Sequence, residues 1–122
     1  MAFIFASSSM SYGLTTEDEQ VLQTMSEMKR LVSTESPARV ELWCAVASLN
    51  LGMGDMAGLF LRKGQSHSTD AKANALAFSY MMGFFESELL NMKGRGQLND
   101  EEALGSIKLM YSSACISQVI PK

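Results

Sequence analysis

The chain has 122 residues, 47% hydrophobic and 19% charged, which is enough apolar surface for one folded domain and excludes a disordered chain. A net charge of −3 argues against a general nucleic-acid or anionic-membrane surface and is too small for an acidic mimic of DNA. The longest apolar stretch, Ala75 to Phe85, falls far short of the roughly 20 residues that span a bilayer, so a cytoplasmic protein is the default expectation.

Residues 1–14 are rich in serine and end in Tyr12-Gly13. They read as an N-terminal extended arm whose Phe3, Ile4 and Phe5 pack on this domain or on a partner. The apolar run is too short, and lacks the basic start, for a secretory signal. Residues 15–120 read as a single all-α domain, a small bundle of four to five helices. No proline falls between Pro37 and Pro121, which favours helix throughout.

The first helix opens on Thr16 and Glu19, which have capping-box spacing, with Glu17, Asp18 and Glu19 suited to the positive helix start. Val21, Met25, Met28 and Val32 recur at helical spacing as its inner face. Ser36 as cap and Pro37 as first residue start a second helix, with Val40, Trp43, Cys44, Ala47 and Leu51 inward. Gly52 and Gly54 break it. Asp55 then caps a short helix from Met56 to Lys63, which Gly64 ends. A polar loop around His67 leads to a long helix from about Asp70 to Lys93, apolar nearly all round in its middle and therefore expected at the centre of the bundle. Asn99 and Glu102 repeat the capping box and open a last helix through about Ser117, with Leu104, Ile107, Tyr111, Ala114 and Cys115 inward.

Small residues recur every four positions along the long helix: Ala71, Ala75, Ser79, Gly83 and Ser87. Ala75, Ser79 and Gly83 are expected at a close helix crossing inside the bundle, with a homodimer seam as the other reading. On the first reading a leucine at Gly83 would overpack the contact.

Little in the sequence points to catalysis or to a cofactor. Cys44 and Cys115 lie in apolar helical stretches and read as buried free thiols in a reducing compartment; a disulfide would require their helices to meet, which spacing does not establish. His67 has no companion ligands at metal-binding spacing and reads as a solvated loop side chain. The glycines from Gly52 to Gly58 lack the preceding strand and the spacing of a dinucleotide loop.

Residues 46–64 have the outline of a helix-turn-helix, but Asp55, Met56, Leu59 and Phe60 are poor base readers for its second helix, so nucleic-acid binding is not the favoured reading. The sharper expectation is an exposed apolar patch of Met53, Met56, Leu59 and Phe60, rimmed by Arg62 and Lys63, that holds another protein. The function expected from sequence is thus a non-enzymatic protein–protein interaction module: an adaptor, a small chaperone or an inhibitor of a larger assembly. A helix-turn-helix regulator is the alternative.

Overall fold

The computed structural model describes residues 15–117; the arm expected over residues 1–14, with Phe3, Ile4 and Phe5, lies outside them. Five α-helices follow in order: α1 Thr16–Leu31, α2 Pro37–Asn50, α3 Gly54–Gln65, α4 Ala71–Gly94 and α5 Asp100–Tyr111. A π-helical turn, Ser112–Ile116, continues α5. No strand occurs among the described residues, and none of their helices is long and apolar enough to cross a membrane.

The helix starts follow from local hydrogen bonding. Asn99 Oδ1 accepts from the Glu102 amide at 2.8 Å while the Glu102 carboxylate accepts from the Asn99 amide at 3.0 Å, so two otherwise unpaired donors are satisfied at the head of α5. The same reciprocal pair opens α1 one residue earlier than expected. Thr15, not Thr16, is the cap, and Asp18, not Glu19, is its partner. Two adjacent threonines before three acidic residues satisfy the spacing twice, and the sequence alone does not choose between them. Ser36 caps α2 ahead of Pro37, and Asp70 caps α4.

α3 departs from expectation at both ends. It begins at Gly54 without a side-chain cap, and Asp55 lies inside its first turn. Gly64 does not end the helix: it is buried within α3, and a Cβ there would stand 2.6 Å from Leu42 Cδ2. Gly64 is therefore a site of close helix approach, where an added Cβ would force the buried Leu42 side chain to shift. Leu42 lies about 12 Å down α2 from the connecting turn and Gly64 about 15 Å along α3. Contact that far out on both arms makes α2 and α3 an antiparallel hairpin, turned by Gly52 with φ +76°. A helix-turn-helix, whose helices cross at roughly 90–120°, would separate these two positions.

The central helix is α2 rather than α4. Every residue from Leu42 to Ser48 is buried, and Phe60, Met81, Phe85 and Ile107 complete the core around that run. Trp43 packs on Phe85 with ring centroids 5.9 Å apart and donates from Nε1 to Glu88 at 2.8 Å. α4 buries Ala73, Asn74, Ala77, Met81 and Phe85 on one side only; Leu76, Tyr80 and Met82 remain exposed on the other.

The cysteines are not free thiols. Cys44 on α2 and Cys115 in the π turn form a disulfide, with Cα atoms 5.7 Å apart and both side chains fully buried. The bond is one rung of two. Four residues along each element, Ser48 and Tyr111 meet at 2.8 Å. Ser48 spends its one proton on the Cys44 carbonyl at 2.7 Å, so the Tyr111 hydroxyl is the donor between them. A covalent link and a buried hydrogen bond thus fasten the C-terminal helix to the centre of the bundle.

A polar clamp holds the α3–α4 loop against α1. The Arg30 guanidinium grips the Glu27 carboxylate with two bonds of 2.7 and 2.8 Å and donates to the His67 carbonyl at 2.8 Å. Ser68 donates to Glu27 at 2.6 Å, and Thr24 to Asp70 at 3.3 Å. His67 is not a solvated side chain, because its Nε2 pairs with Glu41 at 2.6 Å. The hydrogen bond from Arg30, and next that from Ser68, holds the Glu27 carboxyl down from 4.5 to about 2. A depressed folded-state pKa stabilises the contact above the unfolded value and is lost as pH falls through the folded one. The Glu27 carboxyl resonance is accordingly expected to titrate near 2, with amide protection at residues 66–70, relative to the intrinsic exchange rate at each pH, falling as pH drops below about 4.5. An ordinary midpoint near 4.5 would show that the clamp does not form in solution.

Candidate functional site

The expected patch on α3 comes apart. Phe60 is 0% exposed and meets Tyr111 edge-on, with centroids 6.2 Å apart and planes at 82°. It is a core residue, so it cannot anchor a partner. Met53, Met56 and Leu59 are half-buried, and Met53 and Met56 pack against the core. Arg62 is exposed and Lys63 half-buried. What remains on α3 is a narrow apolar margin beside charged side chains.

The small-residue stripe faces the opposite way from the internal crossing expected of it. Ala75, Ser79 and Gly83 are all exposed, and a Cβ at Gly83 would meet none of the described residues within 4 Å. Close helix packing inside the bundle belongs to Gly64 instead. Gly83→Ala is therefore expected to stabilise the chain by about 0.5–1 kcal/mol through helix propensity, since no contact opposes the added methyl. A drop in thermal midpoint would place a tight neighbour at that position after all.

An open groove lies between α1 and α4. The loop clamp draws the C-terminal half of α1 onto the bundle, where Leu31 and its neighbour Val32 are buried. The N-terminal half faces α4 across open space. Between them runs a groove of about 520 Å³, floored by Val21, Met25, Ala75 and Leu76, with Glu17 and Lys72 among its lining residues. Val21 is 60% exposed and Leu76 42%, while Leu22 on α1 is 53% exposed and Tyr80, one turn beyond Leu76, 48%. Val21 and Met25 were expected to face the core, and their periodicity is indeed that of an inner face. What periodicity does not reveal is that no described residue covers these two side chains fully. A smaller pit of about 250 Å³ lies between α2 and α4 at Val46, Leu49, Met82 and Phe85.

Among the described residues no group of three or more His, Cys, Asp or Glu is arranged to hold a metal ion. Comparisons with protein-family models, curated proteins and solved structures returned no match.

Proposed function

We propose that this chain works by binding protein, as an adaptor, a small chaperone or an inhibitor of a larger assembly, and does not catalyse a reaction. The observation that carries this reading is the apolar groove between α1 and α4. Contiguous exposed apolar surface of this kind on a well-cored domain marks an interaction site. The contact surface therefore moves from the α3 patch to Val21, Met25, Ala75 and Leu76.

We further propose that the protein works in an oxidising compartment rather than in the cytoplasm. A fully buried disulfide joining two core elements supports this, because such bonds persist where thiols are not kept reduced. The test is photo-crosslinking in the native host, with a reactive residue at Val21 or at the exposed Asp55 of α3. Crosslinks to protein from position 21, and none from position 55, are the expected outcome. Equal labelling from both, or none from position 21, would sink the groove as the contact surface.

A further inference from the structure

We propose that the turn between α4 and α5 is a processing site: an endoprotease specific for basic residues cuts the Arg95–Gly96 bond, and the Cys44–Cys115 disulfide keeps the two pieces together. The inference goes beyond the binding reading and does not depend on the groove.

The first argument is access. Among the described residues every lysine and arginine except Arg95 lies within a helix, and the rest of the sequence adds only Lys122. A protease takes its substrate as an extended segment, so a basic residue inside a helix is out of reach until that helix opens. Arg95 follows the end of α4 at Gly94, and residues 93–97 are all exposed. Its side chain joins none of the ion pairs among the described residues, which leaves it available to a specificity pocket that holds a carboxylate. Lys93, two residues earlier, is still in α4 and is paired with Asp100 at 2.9 Å.

The second argument is how little holds the turn. The Arg95 and Gly96 amides share the Asn91 carbonyl at 2.8 and 3.2 Å, and the Leu98 amide donates to the Met92 carbonyl at 3.2 Å. Gln97 sits at φ +56°, a left-handed conformation that a residue with a side chain rarely adopts and that extension relieves. No side chain from residue 93 to residue 100 is buried, so the segment extends without opening the core.

The third argument is what happens next. Hydrolysis adds one water across the bond, leaving a carboxylate on Arg95 and an amine on Gly96. Cys44 lies before the cut and Cys115 after it, so the pieces, residues 1–95 and 96–122, stay covalently joined. The capping box that starts α5 lies wholly beyond the cut. Ala103, Ile107 and Tyr111 remain buried in the core, with Tyr111 on Ser48. The product is a two-chain protein with the same fold, from which a thiol reductant can free the C-terminal piece.

The experiment is brief trypsin treatment of the full oxidised chain, with the products weighed with and without dithiothreitol under denaturing conditions. Without reductant the first product is expected to be one species, heavier than the parent by one water. With reductant it is expected to part into residues 1–95 and 96–122. This cut is expected to run about ten-fold or more faster than any other, because every other site needs a helix to open. The nicked, oxidised chain is expected to keep the helical circular dichroism of the parent. Arg95→Gln is expected to melt like the parent, since its side chain is exposed, and to lose the early cut. A first cut at any other bond, an Arg95→Gln chain cut as fast as the parent, or loss of helix on nicking overturns the proposal. The same comparison on chain recovered from its native host tests the processing itself. Residues 96–122 appearing only after reduction is the expected result, and a chain that stays whole under reduction overturns it.

Discussion

Loss of the Cys44–Cys115 disulfide is expected to cost about 4 kcal/mol of folding stability. The two cysteines are 71 residues apart, so the bond closes most of the described chain into one loop. On the chain-entropy account, a loop of this length lies between the roughly 3 kcal/mol of a 15-residue loop and the roughly 4.7 kcal/mol of a 100-residue one. For a domain whose whole stability is of order 5–15 kcal/mol, that is a large fraction. The measurement is urea unfolding of the oxidised chain, the fully reduced chain, and the Cys44→Ala/Cys115→Ala double variant. Both of the latter should unfold at markedly lower urea. The Ser48–Tyr111 hydrogen bond next to the disulfide is unaffected by reduction, so the C-terminal helix should stay docked until global unfolding rather than fray first. An unchanged midpoint after complete reduction would mean that the cysteines are free thiols in solution, and the case for an oxidising compartment would fall with it.

What the sequence made legible here is local chemistry, and what it hid is pairing. Ser36-Pro37, Asp70 and the Asn99–Glu102 box act within a few residues, and each helix start they signal is present to within one residue. Glycines were harder, because one residue type serves two purposes. Gly64 resembled a helix stop and is a packing contact against Leu42; Gly83 resembled a packing contact and meets none of the described residues. Only the position of the neighbouring helix separates these cases. The disulfide and its companion had a faint signature, since Cys44 and Ser48 share a helix face, as do Tyr111 and Cys115. Two such pairs become a ladder only when the elements are known to face each other. The groove was hidden for a related reason. Val21 and Met25 carry the periodicity of a buried stripe, and nothing local states that both side chains stay exposed.

Phe60→Ala is expected to destabilise the chain by about 3–5 kcal/mol, which makes it the sharpest test of where α3 ends and the core begins. Phe60 has no exposed area, and its ring lies edge-on to Tyr111 on α5 while its helix is paired with α2. Truncation therefore empties space at the junction of three helices, two of which the disulfide ladder already holds in place. Elements fixed that way cannot collapse inward, so the cavity stays open and the cost falls toward the upper part of the range. The lost edge-to-face contact adds roughly 0.5–1.5 kcal/mol of its own. Met56, one turn earlier and only half-buried, should cost distinctly less when changed to alanine, because much of its side chain is already in water. Chemical unfolding of both variants, with the disulfide intact, decides the matter. A large loss for Phe60 with a small one for Met56 places the boundary of the core between them, along the helix. Equal and small losses would return Phe60 to the surface and restore the α3 patch as the rival to the α1–α4 groove. Tyr111→Phe provides the control, since it keeps the ring against Phe60 and removes only the hydroxyl that donates to Ser48. Its cost should be confined to that one hydrogen bond, about 0.5–1.5 kcal/mol plus whatever Ser48 loses by being left without its donor.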